Sequence, residues 1–352
     1  MSSTTTRTLY RRSGEQYPKH LSVSQESITI TRPLDVLIKV HAVSLNYRDF
    51  NMLRGTNPWL IKEDGIPGSD AAGEVIGVGE GVVRFKIGDR VCPNLDQKNI
   101  TGTEDGREWL GGEVDGVLAT HVIFPEDGLV KIPAHLSWAE AACLPCAALT
   151  AWSGLNTQEK HITAADSVLL QGTGGVSILA LKLAAQAGAT ILLTSSSDAK
   201  LTQAQSLISS QQNSKLIPIN YRTQPDWEEA ALTHTAGRGV DVVLDNGGAQ
   251  TLRQSLKAVR QRGMISQIGY LGEQDGKYLE GVVAVLIDKA VNWRGVNCGS
   301  RLDFEDLIAF VEKHQMRFND IIDKTFKFEE AEAAIQYLGS GAHLGKVVIE
   351  VL

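Results

Sequence analysis

A glycine-dense turn follows an apolar run at residues 167–177, SVLLQGTGGVS. The apolar run predicts a buried strand over 168–171, and the residues after the turn predict a helix over 178–187. Glycines let the backbone approach a phosphate without a Cβ in between, and the N–H groups at the start of the helix would face the anion. The segment therefore predicts a pyrophosphate-binding turn. Its expected contact residues are Gly172, Thr173, Gly174, Gly175 and Val176.

The turn alone does not specify its ligand. Ser177 stands where dinucleotide-binding turns often carry a third glycine, and similar turns bind other nucleotides or serve only for tight packing. An S-adenosylmethionine methyltransferase also has such a turn after its first strand, although a β-rich amino-terminal half is unusual there. The elements that follow the turn have to decide between these interpretations.

Strands and helices alternate after the turn. Further strands are predicted over 190–194, 216–219, 240–245, 263–268 and 292–296, with helical patterns between most of them. Such alternation predicts a doubly wound parallel sheet, whose ligands bind at the carboxyl ends of the strands. Ser195, Asn246 and Gly269 fall at those ends, together with the glycine turn. Their convergence favours a nucleotide cofactor over glycines that merely turn corners.

The first part of the chain has a different pattern. Short β-like runs cut by glycine, at 36–40, 73–79 and 116–123, predict a compact β-rich domain. Ser137, with Glu140 three residues later, predicts a capping box at the start of a helix. Since 352 residues are many for a single core, we expect two domains: 1–137 with 302–352 returning to it, and 138–301.

Composition excludes several function classes. The formal charge of -7 and the lack of a basic stripe argue against a nucleic-acid surface, and no apolar run reaches the roughly 18 residues that cross a bilayer. The polar start lacks a signal core, and four cysteines form no disulfide framework, so we expect a cytoplasmic protein. Cys143 and Cys146 have the spacing of a redox or metal pair. Their apolar surroundings favour packed cysteines instead.

Several ordered blocks resemble the medium-chain dehydrogenase/reductase superfamily, in particular its zinc-free, quinone-oxidoreductase-like members. The blocks are VSLNYRD at 43–49, IPGSDAAGEV at 66–75, FKIGDRV at 85–91, the glycine turn, and AHLGKVV at 342–348. The resemblance covers nearly the whole chain. It implies an α/β protein with a GroES-like catalytic domain built from both ends of the chain, an inserted Rossmann domain, and hydride transfer from a nicotinamide in the cleft.

The resemblance also shows a departure at the metal site. Zinc-dependent relatives place a cysteine, a histidine–glutamate pair and a further ligand around the metal, whereas this chain has Asn46, then Ser69 and Asp70, then Cys146. One soft ligand remains where a catalytic zinc takes three protein ligands plus water. Only Cys92 lies where relatives carry the four cysteines of a structural zinc lobe. We therefore expect no metal.

The expected cofactor is NADPH. An acidic residue at the end of the second strand would bind the ribose hydroxyls of NAD, whereas residues 194–200, TSSSDAK, offer hydroxyls and a lysine. By resemblance, Ser195, Ser196, Lys200 and Tyr221 contact the 2′-phosphate, and Asp198 is expected to cap the next helix. The alternative is that these hydroxyls serve only as caps and that Lys200 is solvated. The remaining cofactor contacts implied by resemblance are Asn46, Thr150, Asn246, Ile268, Gly269, Tyr270 and Lys346.

Without a metal, protein donors must polarise the acceptor. Asn46, Tyr47 and Arg48 lie where relatives have the metal and its proton relay, and Tyr47 is a plausible proton donor. The alternative is that Tyr47 only packs and that Arg48 pairs with Asp49. Donors weaker than a metal favour electron-poor acceptors, so the predicted function is reduction of a conjugated enone or quinone.

Two other functions remain open at this point. One is an NADP(H)-dependent carbonyl reductase or alcohol dehydrogenase, and the other is a catalytically silent nucleotide-binding protein. The apolar β-formers at 282–287 and 290–296 predict an exposed strand edge and, with the resemblance, a homodimer.

Overall fold

The computed structural model describes residues 4–209 and 214–352 and divides the chain into two compact units. Unit one comprises Met1–Leu149 and Gly299–Leu352, and unit two comprises Thr150–Cys298. The first division thus lies later in the chain than the expected boundary at 137/138, after a helical segment that follows Ser137. The second lies close to the expected boundary at 301/302.

A mixed sheet forms the centre of unit one. Its strand order is β14-β15-β3-β4-β5-β7, with β6 also paired to β3, while β1 and β2 form a separate hairpin. The strands are β1 (Thr4–Ser13), β2 (His20–Thr29), β3 (Asp35–Leu45), β4 (Asp70–Val78), β5 (Arg90–Pro93), β6 (His121–Pro125), β7 (Leu129–Lys131), β14 (Ile322–Lys327) and β15 (Lys346–Glu350). The helices are α1 (Tyr47–Arg54), α2 (Trp138–Ala142), α9 (Arg301–Lys313) and α10 (Ala331–Gly339).

Strand β3 sets the register of this sheet. It is eleven residues long, is almost wholly buried and pairs with β15, β4 and β6. Val347 lies opposite Leu45, and Asp70 lies opposite Ser44. Asn46 directly follows β3, and Lys346 is the first residue of β15. The two residues therefore lie at the same end of the sheet.

The expected strand over 116–123 is wrong in its first half, since β6 begins at His121. The backbone N–H groups of Gly116, Val117 and Leu118 instead bond to the carbonyls of residues 66–68. A Cβ on Gly116 would collide with those carbonyls, so this close approach needs the glycine. Pairing with the irregular segment before β4 has replaced pairing with a strand.

The predicted capping box before α2 is confirmed. The hydroxyl of Ser137 accepts from the N–H of Glu140 at 3.2 Å, and the Glu140 carboxylate accepts from the N–H of Ser137 at 2.8 Å. Two donors at the start of the helix are thus satisfied reciprocally. A π-helical turn over Leu144–Ala148 then leads to α3 (Leu149–Leu155).

Unit two is a doubly wound parallel sheet, as the alternation predicted. The strand order is β10-β9-β8-β11-β12-β13, which places the first strand beside the fourth and leaves a switch point between them. The strands are β8 (Ser167–Gln171), β9 (Thr190–Ser195), β10 (Lys215–Asn220), β11 (Val240–Asp245), β12 (Val259–Gln267) and β13 (Asn292–Gly295). The helices after α3 are α4 (Gly175–Gln186), α5 (Asp198–Leu207), α6 (Trp227–His234), α7 (Ala249–Ala258) and α8 (Val282–Lys289).

The segment over 282–287 is not a strand, which corrects the expectation based on its β-branched residues. It forms α8, and only β13 lies at this edge of the sheet. A helix is possible because one face packs on the core through Val282 and Leu286, while Val283 and Ile287 remain exposed. Tertiary packing has overridden the local β preference. No helix in the described part of the chain is long and apolar enough to cross a membrane.

Candidate functional site

The glycine turn of unit two has the geometry of a phosphate cradle. Gly172 has a φ of +79°, a left-handed conformation that favours glycine, and no atom lies within 4 Å of the Cβ that a side chain would add there. The same open space lies over Gly174, the residue before α4. Helix α4 starts at Gly175, three residues earlier than predicted, so its first turn is made by Gly175 and Val176. The buried Thr173 completes the turn.

Ser177 has a role that its departure from the glycine pattern did not suggest. Its hydroxyl donates to the carbonyl of Gln171 at 2.7 Å and accepts from Nδ2 of Asn246 at 3.0 Å. Nδ2 of Asn246 also donates to the Gln171 carbonyl at 2.9 Å. The serine therefore ties the glycine turn to the end of β11, which a glycine at this position could not do.

The end of β9 carries hydroxyls rather than a carboxylate. Ser195 is buried, and its hydroxyl accepts from the N–H of Ser197 at 3.3 Å. Ser197 caps α5 by accepting from the N–H of Lys200 at 3.4 Å, so the cap is Ser197 and the expectation for Asp198 is wrong. Asp198 lies in the first turn, where its carboxylate accepts from Nδ2 of Asn220 at 2.8 Å. One face of that carboxylate is therefore already occupied.

The other expected cofactor residues of unit two lie at the carboxyl ends of the strands or beside them. Tyr221 follows β10 and is half exposed, with its N–H bonded to the carbonyl of Ser195. Ile268 and Gly269 follow β12, and both bond through their N–H groups to the carbonyl of Asp245. The sheet thus brings together most of the residues named from the sequence. These are Gly172, Thr173, Gly174, Gly175, Val176, Ser195, Ser196, Lys200, Tyr221, Asn246, Ile268, Gly269 and Tyr270. Thr150 lies in α3 of the same unit, where its side chain is buried, and Gly154 of that helix lies against Ile268.

In unit one, a polar cluster lies where β3 leads into α1. The ammonium of Lys346 donates to Oδ1 of Asn46 at 2.6 Å and to the carbonyl of Leu45 at 2.7 Å. Nδ2 of Asn46 donates to the hydroxyl of Ser69 at 3.3 Å, and that hydroxyl donates to Oδ1 of Asp70 at 2.6 Å. We call Lys346, Asn46, Ser69 and Asp70 the polar cluster.

Asp70 anchors this cluster on its inner side. Its Oδ2 accepts from the N–H of Cys146 at 3.1 Å. Burial raises the pKa of the Asp70 carboxyl, while the charge of Lys346 and the hydrogen bond from Ser69 act in the opposite direction. Sequence reasoning assigned Ser69 and Asp70 no role beyond their place in the departure from zinc ligands. Their contacts depend on the register that places Asp70 opposite Ser44, which no local sequence signal shows.

Tyr47 and Arg48 differ in what they offer to a substrate. Tyr47 begins α1 and is 43% exposed, with its ring beside Phe50. The guanidinium of Arg48 points into the unit, where Nη1 donates to the carbonyl of Leu110 at 2.8 Å and the group lies over the ring of Trp109. Arg48 therefore holds a loop.

The residues at the position where zinc-dependent relatives bind their metal do not fit a zinc ion. Zinc takes thiolate, imidazole or carboxylate ligands, but the oxygen of Asn46 already faces an ammonium, and Ser69 is a neutral hydroxyl. In residues 4–209 and 214–352, no group of three His, Cys, Asp or Glu side chains is placed to hold a metal ion. The ammonium of Lys346 already occupies the amide oxygen of Asn46.

The Cys143 and Cys146 pair does not have the environment of a redox pair. All four cysteines are free, Cys143 is buried, and Cys146 is partly exposed. Burial raises the pKa of the Cys143 thiol to about 11, which keeps it protonated and unreactive near neutral pH. The expectation of packed cysteines is confirmed for Cys143.

Comparison with known proteins shows the family. Residues 32–134 match the family model "Alcohol dehydrogenase GroES-like domain", and residues 175–313 match "Zinc-binding dehydrogenase". A zinc-type alcohol dehydrogenase-like protein of Schizosaccharomyces pombe is 38% identical over 324 residues, which are 91% of each chain. The chain belongs to the medium-chain dehydrogenase/reductase superfamily. The resemblance to this superfamily inferred from the sequence blocks is thereby confirmed, as is the combination of GroES-like and Rossmann domains.

Other relatives show the range of chemistry within this superfamily. An acryloyl-coenzyme A reductase of Metallosphaera sedula is 27% identical over 325 residues, 90% of this chain and 92% of that one. The crystal structure of a presumed alcohol dehydrogenase from Sinorhizobium meliloti 1021 has a TM-score of 0.86 at 36% identity and covers 98% of this chain and 99% of that one. The protein described here is thus an oxidoreductase of this superfamily, which uses nicotinamide cofactors.

Proposed function

We propose that the protein is an NADPH-dependent reductase of conjugated carbonyl acceptors, enones or quinones, that works without a catalytic metal. The observation that carries the proposal is the bond between the Lys346 ammonium and Oδ1 of Asn46. Together the two residues place a fixed positive charge and an amide donor at the position where zinc-dependent relatives bind their metal. These groups can stabilise negative charge on an acceptor oxygen, but less strongly than a metal would.

The preference for NADPH rests on the end of β9. Ser195 and Ser196 present hydroxyls there, Lys200 lies in the following helix, and the nearby carboxylate of Asp198 is bonded to Asn220. A carboxylate aimed at the ribose would select NAD and repel a 2′-phosphate, whereas hydroxyl and ammonium donors bind a phosphate with charge-assisted hydrogen bonds.

In the proposed reaction, bound NADPH supplies a hydride. Unit two holds the cofactor through the glycine turn, with Gly172 and Gly174 leaving space for the pyrophosphate. Asn46 would donate to the acceptor oxygen as negative charge builds on it. Tyr47, half exposed at the start of α1, is the candidate donor for the proton that completes the reduction.

An electron-poor acceptor suits this site because a neutral amide stabilises an oxyanion less than zinc does. Conjugation spreads the developing charge before it reaches the oxygen, so less stabilisation is required. The acryloyl-coenzyme A reductase among the relatives has a conjugated substrate by its name, which supports the same class here. Reduction of an isolated carbonyl is the second candidate, favoured by the alcohol dehydrogenase likeness of the Sinorhizobium meliloti structure.

The test compares a conjugated enone with its saturated ketone while NADPH oxidation is followed by absorbance. We expect NADPH to be oxidised with the enone at least about 100-fold faster than with the ketone, a difference of roughly 2.7 kcal/mol in the barrier. A faster reaction with the ketone would support the second candidate. Tight NADPH binding without turnover on any acceptor would indicate a silent nucleotide-binding protein.

We also propose a cytoplasmic homodimer. The free thiols of all four cysteines suit a reducing compartment. The edge strand β13 carries the exposed Trp293, and the neighbouring α8 exposes Val283 and Ile287. An unpaired strand edge beside exposed apolar side chains is a surface that a second copy could cover.

A further inference from the structure

Lys346 has a more specific role than the cofactor contact expected from the sequence. It follows Gly345, whose φ of +78° turns the chain beside the carbonyl of Ile321 into β15. The register of β15 against β3 then places Lys346 beside Asn46. The side chain is only 2% exposed, so solvent screens its charge little and the charge acts strongly on its neighbours.

Two hydrogen bonds of the ammonium fix the local geometry of Asn46. One goes to the carbonyl of Leu45, immediately before it, and the other goes to its own Oδ1. An ammonium can only donate, so the amide must turn its oxygen towards Lys346. If the amide were flipped, its NH₂ group would face the ammonium of Lys346, and both groups can only donate. The amide's NH₂ group is therefore directed to the side of Ser69.

Ser69 fixes the same orientation from the other end. Its hydroxyl proton is donated to Asp70 at 2.6 Å, so its lone pairs remain to accept from Nδ2 of Asn46. The backbone of Asn46 is held as well, since its N–H donates to Asp49 at 2.8 Å. The amide of Asn46 is thus set by partners on both sides.

The charge of Lys346 also changes the strength of the amide as a donor. A charge-assisted hydrogen bond to the amide oxygen draws electron density from the nitrogen, and chains of hydrogen bonds strengthen one another in a buried setting. The Nδ2–H groups of Asn46 consequently become better donors than those of an ordinary asparagine.

We propose that Lys346 is a positioning residue that orients and polarises the Asn46 amide, so that this amide acts as the donor to the acceptor oxygen. This rests on the proposed function, in which Asn46 touches the acceptor. Lys346 acts through Asn46 and not through the cofactor. The two roles differ in what they predict for cofactor affinity, because the bonds of the ammonium to Leu45 and Asn46 lie within unit one.

The test uses Lys346→Met and Lys346→Arg, with Lys324→Met as a control on an exposed lysine of the same unit. We expect Lys346→Met to lower kcat with a conjugated enone by about 100-fold, the usual order for loss of one oxyanion donor, while the Kd for NADPH, measured by its fluorescence, changes less than threefold. Lys346→Arg should recover part of kcat. A kcat of Lys346→Met within threefold of wild type would overturn the proposal, as would a loss explained by weaker NADPH binding.

If Lys346→Met does not fold, a second variant tests whether the Asn46 amide is the donor to the acceptor oxygen. Asn46→Asp keeps an oxygen facing Lys346 and removes the NH₂ donor. We expect it to fold, because the new carboxylate pairs with Lys346, although with a lower melting temperature, since its second oxygen faces the lone pairs of Ser69; kcat should fall by about 100-fold. Wild-type kcat in Asn46→Asp would overturn the proposal.

A magnetic resonance readout separates this inference from the proposed function. The side-chain amide signal of Asn46, identified by its loss in Asn46→Asp, should shift in Lys346→Met and stay in place in Lys324→Met. If that shift is seen but the wild-type protein does not reduce the enone, the geometry holds and the proposed function fails. If the signal does not move, the positioning role fails whatever the activity.

Discussion

Substitutions at two glycines of the turn after β8 distinguish the effect of backbone strain from the loss of ligand contact. Gly172 has a φ of +79°, so Gly172→Ala should destabilise the protein by about 1–2 kcal/mol even without cofactor. Gly174 has an ordinary φ of -77° and open space around its missing Cβ. We expect Gly174→Ala to keep the wild-type melting temperature and to weaken NADPH binding about tenfold, or roughly 1.4 kcal/mol, because the methyl group would occupy the phosphate's position.

Gly276→Ala is the matched control for this pair, since it too has no atom within 4 Å of an added Cβ and lies outside the turn. Binding is measured by NADPH fluorescence titration and stability by thermal melting. Unchanged affinity in Gly174→Ala would show that the pyrophosphate does not lie over this residue.

The hydroxyls after β9 should determine the choice between the two nicotinamide cofactors. Ser196→Asp places a carboxylate beside the proposed 2′-phosphate, where like-charge repulsion of about 2 kcal/mol would lower kcat/KM for NADPH about 30-fold relative to NADH. Ser206→Asp adds the same charge on the exposed part of α5 and should leave the ratio unchanged. If the ratio of kcat/KM for NADPH to kcat/KM for NADH were the same in Ser196→Asp and Ser206→Asp, the assignment of the phosphate site would be contradicted.

At the residue scale, the sequence could predict which positions gather at the carboxyl ends of the strands but not what every side chain does there. The glycines after β8 have a local signature, because the turn depends on their backbone conformation and on the lack of a Cβ. Lys346 and Asn46 are 300 positions apart, and only the register of β15 on β3 brings them together. Arg48 shows the converse, since its neighbours in the chain suggested a substrate contact while its guanidinium binds Leu110.

At the scale of elements, Glu140 joins the start of α2 to the segment after α9. Its carboxylate accepts from Arg317 at 2.9 and 3.0 Å and from the N–H groups of Phe318 and Asn319. Burial alone would raise the pKa of Glu140, but hydrogen bonds from Arg317, Ser137 and Phe318 lower it to about 2.

The lowered pKa predicts a loss of stability in acid. Glu140 contributes stability that is fully present above its ordinary value of 4.5 and is lost as pH falls through that value towards about 2. Glu140→Gln should cost about 2 kcal/mol of unfolding free energy at pH 7 and should flatten the dependence between pH 5 and 3. Urea unfolding at several pH values measures both effects. Glu312→Gln, on the exposed side of α9, serves as the control, and an equal response of the two variants would refute the assignment.

Some elements could be predicted from local signals and others could not. The Ser137 and Glu140 box is a contact within four residues, so the sequence contains all of it. The segments over 116–120 and 282–287 have β-forming residues, yet the first bonds to the irregular backbone of residues 66–68 and the second packs as a helix on unit two. Non-local partners determined these two outcomes.

At the scale of the whole molecule, the proposed homodimer predicts a mass of about twice 38.1 kDa in solution. Replacing both Val283 and Ile287 with lysine should give the single-chain mass in multi-angle light scattering, because charge on α8 would oppose burial of the surface. Val83→Lys, at an 86% exposed site in unit one, should leave the dimer intact. A wild-type protein with the mass of one chain would contradict the proposal.

The architecture of the molecule was the most predictable level. Six strands of unit two alternate with helices, and that period allows few topologies, so the doubly wound sheet followed from the sequence. The return of the chain to unit one, expected from residue 302, occurs just before α9 and is also implied by the resemblance carried by the block at 342–348. The division after Leu149, rather than at 137/138, depends on how the helical segment after Ser137 packs.

The central claim is that protein donors alone polarise the acceptor, and it is tested by turnover after metal removal. The protein is dialysed against a strong chelator, its zinc content is measured by elemental mass spectrometry, and NADPH oxidation with a conjugated enone is followed. We predict less than about 0.05 zinc per chain and a kcat within twofold of the untreated protein, because no metal ligand set is present at Asn46. Loss of turnover with the zinc, and its return when zinc is added back, would contradict the account.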